Sequence, residues 1–326
     1  MVTELLLDIR NLQMHLFSNR GTRVVKAVDG VSFTLSEGET MGIVGESGSG
    51  KTMTSLSILR LLPTAGRIVG GEIRFAGEDL LAKSDKEMQR IRGSQIAMIL
   101  QDPMMSLNPL FTIGEQIAEP LRVHRHMRGA SLFNRLKELL HGVRIPSPEV
   151  RLREYPHQMS GGMRQRIVGA IGISCEPRLL IADEPTTSLD VTIQAQYLQL
   201  LKDIQQRAGL AMLFITHDIG IVAKMCDYVA VMYAGKLVER APMRALFRQP
   251  KHPYTEALLR AVPRINTPTD RLWSIEGQPP DLADIPPGCP FSPRCPVAEE
   301  RCRRDTPPEI QVGPKHYVRC WLQEGS

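Results

Sequence analysis

Short apolar runs alternate with longer stretches of helical spacing through most of this chain. Residues 5–17 and 31–35 read as strands with a loop between them, and Thr40–Val44 reads as a short buried strand behind a turn at Gly38. Residues 53–62 read as a helix that begins at Gly50–Lys51. Residues 70–75, closed by Ala76 and Gly77, give another strand and turn. Residues 95–100 form a short apolar strand ending at Gln101-Asp102-Pro103, where Pro103 is expected to stop any regular continuation. Pro109, Pro120, Pro146, Pro148 and Pro156 then punctuate short helical pieces at about 114–122 and 131–142. This predicts an inserted helical subdomain over about 103–174 rather than more sheet.

Ser160-Gly161-Gly162 opens a helix to about residue 174, with Ser160 as N-cap. Residues 178–182 read as an apolar strand ending in Asp183-Glu184. Ile193, Tyr197, Leu201 and Ile204 fall at helical spacing, and residues 210–215 form a further strand ending at Thr216-His217-Asp218. Residues 228–233 and 236–239, joined by Ala234-Gly235, predict a hairpin. Strands and helices in this alternation point to a largely parallel α/β sheet. Beyond about residue 262, closely spaced prolines leave little room for long elements, so residues 263–326 read as a loop-rich C-terminal extension behind a main domain of residues 1–262.

Composition narrows the class. The 326 residues are 42% apolar and 23% charged, ordinary for a globular protein, and no apolar run reaches the roughly 18–20 residues that cross a bilayer. The start of the chain lacks a basic segment and a long apolar core, which points away from secretion and toward the cytosol. A net charge of +5 suits an acidic ligand or a lipid headgroup surface and is too weak to argue for nucleic acid. The basic run Arg122, His124, Arg125, His126 and Arg128 reads either as a solvated helix face or as a surface near headgroups. Six cysteines in a cytosolic chain are not expected to pair as disulfides, and Cys175 and Cys226 read as core residues.

The candidate chemistry centres on Gly45-Glu46-Ser47-Gly48-Ser49-Gly50-Lys51-Thr52, which matches G-x-x-x-x-G-K-[ST] between a strand and a helix. Glycines at these places let backbone N–H groups turn onto one anion, Lys51 adds a charge for the outer phosphates, and Thr52 offers a hydroxyl to Mg²⁺. Ser160, Gly161 and Gly162 make a second helix start able to take an anion. Asp183 and Glu184, at the C-terminal end of a buried strand, stand where open α/β sheets bind ligands. ATP hydrolysis needs few parts beyond these: Asp183 to orient Mg²⁺, Glu184 as general base, Gln101 to hold the water or the metal, and His217 to bond the γ-phosphate and fix Glu184. Phe17 is a candidate for stacking on adenine, with an aromatic in the sheet core as the equal alternative.

These parts resemble the ATP-binding subunits of ABC transporters over residues 1 to about 260. GESGSGKT stands for that family's Walker A motif and LLIADE (179–184) for Walker B with the catalytic glutamate. The resemblance makes Gln101 the Q-loop glutamine, Ser188-Leu189-Asp190 the D-loop and His217 the switch histidine. MSGGM (159–163) stands for the signature usually written LSGGQ, with Met159 and Met163 replacing Leu and Gln. The implied fold is a P-loop NTPase with a RecA-like core, an antiparallel β subdomain and an inserted α-helical subdomain. ILQDPMMSLNP (99–109), YPHQMSGGMRQR (155–166), DEPTTSLDVTIQAQ (183–196) and HPYTEALLRAVP (252–263) are similar to the oligopeptide/dipeptide branch. That branch implies a heterodimer with a second ATPase subunit, two membrane permeases and an extracytoplasmic solute-binding protein, with the ATPases peripheral on the cytoplasmic face of the inner membrane. ATP would lie between one chain's phosphate loop and the other's Ser160-type helix start, and the helical subdomain would accept permease coupling helices. The alternatives are a non-transport ABC ATPase, or an importer of another solute such as a nickel chelate or a sugar.

Cys289, Cys295, Cys302 and Cys320 are spaced C-x5-C-x6-C-x17-C in a segment with little apolar content, so another stabiliser is expected. Zinc sites usually show tighter pairs. Some members of the resembled branch carry a [4Fe–4S] cluster at such cysteines, which makes a cluster the expectation here, with zinc and unliganded thiols as alternatives.

Overall fold

The structure, a computed structural model, describes residues 5–18, 22–187, 189–262 and 274–324. The chain falls into two compact units. One spans residues 82–213; the other joins the chain up to Leu81 with the chain from Phe214 onward.

In the second of these units the N-terminal strands make an antiparallel sheet. Leu5–Ser18 lies between Arg23–Ser36 and Gly66–Phe75, and the two-residue strand Glu78–Asp79 follows at the edge. The expected strand at 31–35 is only the second half of a 14-residue strand. Asp29-Gly30 suggests a break in the sequence, but Gly30 sits at φ 77 and the strand pairs on both sides of it, down to Phe17 opposite Val24. Across the sheet, Ile9, Leu12 and Met14 are all buried although the first interval is three residues. Asn11, at φ 47, is the extra residue; the register shifts there, so alternation resumes with the same face inward.

The same unit carries a second sheet. Thr40–Val44, buried at all five positions, pairs in parallel with Tyr228–Tyr233. Tyr228–Tyr233 turns through Ala234 (φ 46) and Gly235 (φ 80) into the antiparallel strand Lys236–Pro242. Two consecutive positive φ values make the tight turn that suits the twist of a two-residue hairpin. The C-terminal extension adds to this sheet: His316–Val318 pairs with Lys236–Pro242, and Ile310–Gly313 pairs with His316–Val318. The helix Ile219–Met225 packs on Thr40–Val44 at Gly42, where a Cβ would come within 2.7 Å of Val222.

The unit of residues 82–213 contains the parallel pair Ile96–Ile99 and Leu179–Asp183, together with the helices. Pro103 ends the extended run but does not end regular structure. It opens the short helix Pro103–Ser106, because a proline at a first helical position loses no hydrogen bond. Ile113–Arg125 runs through Pro120 instead of stopping near residue 122. Its start is fixed by the reciprocal Thr112/Glu115 cap, and it buries Ile113, Ile117 and Leu121 at one-turn spacing. Gly129–Gly142 buries Leu132, Leu136, Leu139 and Leu140 in the same way. Gly161–Ile173 and Val191–Ala208 match the expected helices closely. Cys175 and Cys226 are both buried, as read from the sequence. Arg125 of the basic run donates to the Cys175 carbonyl and pairs with Glu176, so part of that run is structural.

Candidate active site

The phosphate loop follows the buried strand Thr40–Val44 and runs into the helix Lys51–Leu59. Two of its glycines bend the chain left-handed, Gly48 at φ 77 and Gly50 at φ 106. Gly45 and Gly50 are also needed for space: a Cβ on either would lie 2.1 Å from a carbonyl oxygen, of Met232 and of Ala27 respectively. The loop closes around Lys51, which is 5% exposed. Its ammonium donates to the Gly45 carbonyl at 2.8 Å and to the Glu46 carbonyl at 2.9 Å. Ser49 is buried, and its carbonyl accepts from Gly235 N–H at 2.9 Å. Thr52 is exposed in the first turn of the helix, whose N-terminal end carries the positive pole of the helix dipole. Glu46 differs from the other loop residues in that its N–H donates to the Tyr254 hydroxyl at 2.9 Å. Ser47 and Gly48 complete the loop, with open space around Gly48.

In the same unit His217 follows directly on the strand Ala211–Thr216 and is exposed. Asp218 behind it caps the next helix by accepting from Gly220 and Ile221 N–H. Phe17 is half-buried, its N–H donating to the Ala65 carbonyl at 2.9 Å and its ring 6.3 Å from that of His15.

The unit of residues 82–213 holds the acidic residues and the serine–glycine helix start. Asp183 ends its strand at 3% exposure. The next residue, Glu184, sits at φ 45, a left-handed conformation that costs a non-glycine residue roughly 1 kcal/mol or more and recurs at functional sites. Its Oε2 accepts from Gln101 Nε2 at 3.1 Å and from Thr187 Oγ1 at 3.0 Å. The structure therefore brings Gln101 and Glu184 together across 83 positions of sequence. Thr187 is a partner the sequence does not reveal, because its role depends on the turn after the strand.

At the serine–glycine start, Ser160 Oγ accepts from Met163 N–H at 3.3 Å. Gly162 is required by packing, since a Cβ there would meet Ile193 at 2.7 Å, whereas Gly161 has open space around it. Asp190 caps the helix Val191–Ala208 by accepting from Thr192 and Ile193 N–H. Ser188 lies outside the described residues.

Cys289, Cys295, Cys302 and Cys320 line one cavity of about 20 Å³ together with His252, Phe291 and Trp321. Their backbones are tied as well, Cys289 N–H donating to the Cys302 carbonyl at 2.8 Å. Burial pushes the thiols of Cys289 and Cys295 upward and that of Cys320 up to about 11. Among the described residues, however, no three His, Cys, Asp or Glu side chains are arranged to hold a metal ion. The four thiols converge without forming a finished ligand set, so the expectation of a bound metal or cluster is not carried by the geometry. A space of this size takes a single water-sized group, and a four-iron cube needs the sulfurs to spread.

A second cavity, of about 850 Å³, lies in the helical unit between Asn108 and His124 and is lined by Phe111, Glu115, Glu119, Arg122 and Val123.

Similarity to known proteins identifies the family. Residues 28–187 match the family model described as ABC transporter, and residues 238–302 match one described as oligopeptide/dipeptide transporter, C-terminal region. The chain is 50% identical over 322 residues to the dipeptide transport ATP-binding protein DppD of Bacillus subtilis, covering 98% of this chain and 96% of that one. It is 48% identical over 320 residues to the oligopeptide transport ATP-binding protein AppD of the same organism, covering 98% and 97%. Among solved structures it resembles the dimeric post-hydrolysis state of the ATP-binding cassette MJ0796 bound to ADP and Pi, with a TM-score of 0.65, 26% identity, and coverage of 73% of this chain and 99% of that one. The structure of cbiO1 from Clostridium perfringens, part of the ABC transporter complex cbiONQ, gives a TM-score of 0.64.

Proposed function

The chain belongs to the ATP-binding subunits of ABC transporters, and from that premise we propose that it is the ATP-hydrolysing subunit of a di- or oligopeptide importer. The observation that carries the catalytic half is Glu184, at a strained strand end with Gln101 and Thr187 both donating to one carboxylate oxygen. With its carboxylate oriented by these two donors, Glu184 would be the base that takes a proton from the attacking water. Lys51 and the amides of the phosphate loop would neutralise the outer phosphates. Thr52, Asp183 and Gln101 would serve as ligands of Mg²⁺, directly or through water, which supplies charge stabilisation to the transferring phosphoryl group. His217 would bond the γ-phosphate, and Phe17 would stack on the adenine. Ser160, Gly161 and Gly162 would face the nucleotide of a second ATPase subunit.

The peptide branch is supported by the match of residues 238–302 to the oligopeptide/dipeptide region, and the extension of residues 263–326 would follow an ATP-binding domain of residues 1–262. Two permeases and an extracytoplasmic solute-binding protein would complete the assembly. No helix among the described residues is long and apolar enough to cross a membrane, so attachment to the cytoplasmic face of the inner membrane would run through the permeases. The docking surface would be the groove of about 850 Å³, which carries Phe111 and Val123 among its carboxylates, with Leu110 80% exposed beside it. The test is co-expression with hydrophobic permease subunits. The tagged chain is expected to bring them down from detergent-solubilised membranes and to drive ATP-dependent peptide uptake into vesicles. ATP turnover by a chain that binds no permease would sink the importer reading.

The four extension thiols are the proposed ligands of a [4Fe–4S] cluster. Thiolate is the chemistry such clusters take, and all four cysteines line the same cavity. Linking four separated points of the extension would tie its loops together. Protein purified without oxygen is expected to be brown, with iron and acid-labile sulfide in equal amounts. A colourless product, or one with stoichiometric zinc, rejects the cluster.

A further inference from the structure

Glu46, the second residue of the phosphate loop, is engaged through every polar group it has. Its N–H donates to Tyr254 Oη at 2.9 Å, its carbonyl accepts from Lys51 Nζ at 2.9 Å, and its carboxylate accepts from both terminal nitrogens of Arg294, at 2.6 Å and 3.0 Å. The carbonyl contact is to the loop's own lysine. The other two reach the loop from more than 200 positions away in sequence.

Arg294 is built in rather than laid on. Its side chain is 4% exposed. Its Nε donates to the Glu276 carbonyl at 2.9 Å, and Nη1 also donates to Tyr233 Oη at 3.3 Å. Burial opposes its charge, but the hydrogen bonds to Glu46 and Tyr233 outweigh that and hold its pKa above the ordinary value. Tyr233, Tyr254 and Phe291 pack ring against ring around it, with centroids 4.6–5.3 Å apart. Arg294 ends the turn Ser292–Arg294, between Cys289 and Cys295. The Tyr254 hydroxyl is supplied by the helix Pro253–Arg260, whose start is fixed by His252. The His252 Nδ1 accepts from Tyr254 N–H, and burial holds this imidazole neutral, with a pKa lowered to about 4.

We propose that Arg294 and Tyr254 are positioning residues for the phosphate loop: they hold the side chain and the N–H of Glu46 so that its carbonyl sets where the Lys51 ammonium stands. This rests on the ATPase reading above and assigns the C-terminal region a role in that site. A bidentate arginine–carboxylate pair fixes direction as well as distance, which a lone lysine does not. With the pair removed, the Glu46 peptide can rotate and the lysine loses one of its two carbonyl partners.

The experiment measures ATP hydrolysis by the assembled complex, and nucleotide binding by the full chain, for Arg294→Met, Arg294→Lys, Tyr254→Phe and Glu46→Gln. Arg294→Met is expected to raise the KM for ATP roughly tenfold or more with kcat within about twofold, the lower end of the scale for lost hydrogen bonds to a charged group. Tyr254→Phe should raise it about threefold, and Arg294→Lys should recover part of the loss. Arg294→Met combined with Glu46→Gln should be no worse than Arg294→Met alone, because both remove one interaction. A merely structural role would lower the thermal midpoint while leaving the KM of the folded protein at the wild-type value in all variants; that result overturns the proposal. If Arg294→Met does not fold, Tyr254→Phe and Glu46→Gln decide it by the same criterion. A wild-type complex that neither binds nor hydrolyses ATP would bring down the ATPase reading itself. Wild-type activity with unmoved variants brings down only this inference.

Discussion

Glu184→Gln is expected to leave ATP binding close to wild type and to lower hydrolysis at least about a hundredfold, the usual contribution of a general base and roughly 3 kcal/mol in barrier. The substitution is nearly isosteric. The glutamine carbonyl can still accept from Gln101 and Thr187, so the strand end and its left-handed turn have no reason to move. What disappears is the second carboxylate oxygen as a proton acceptor. Phosphate release measured beside nucleotide titration separates the two effects. Turnover at the wild-type rate would remove Glu184 from the chemistry.

Lys51→Ala acts on the other half of the reaction. The ammonium is buried in the loop and satisfies the carbonyls of Gly45 and Glu46, so its loss removes a full charge from the phosphate cradle and takes a donor from one buried and one half-buried acceptor. Each unsatisfied acceptor costs about 1–3 kcal/mol. ATP affinity is expected to fall about a hundredfold or more, with hydrolysis below detection, when measured by equilibrium titration with a fluorescent nucleotide. A single cooperative thermal transition, even at a lowered midpoint, would show that the fold survives. A Lys51→Ala complex that still turns over at full speed would end the nucleotide-site reading altogether. The two variants are also expected to differ in kind: Glu184→Gln should retain bound nucleotide, whereas Lys51→Ala should weaken its binding.

Much of this site can be read from short contiguous stretches. The phosphate loop needs glycines at set positions, a lysine and a following helix, and each requirement lies within eight residues of the others. Ser160 is legible as a cap for the same reason, since the donor it satisfies is three residues away. The helix Val191–Ala208 is marked by its own apolar spacing. Less legible are places where a neighbour decides. Arg23–Ser36 continues through Asp29-Gly30 because Leu5–Ser18 offers it a ladder along its whole length. Ile113–Arg125 survives Pro120 because its buried face outweighs one lost backbone bond.

The sequence by itself determined the family, the phosphate-binding chemistry and the identity of the candidate base, because local backbone geometry and side-chain chemistry suffice for them. Only the tertiary structure decided which groups meet. Gln101 and Thr187 converge on one oxygen of Glu184, four cysteines share one small cavity, and Arg294 and Tyr254 reach back to Glu46. Such pairings are set by how sheets and loops pack over long sequence separations, where a hydrogen bond forms only after the chain has buried its apolar faces. No spacing along the chain records them.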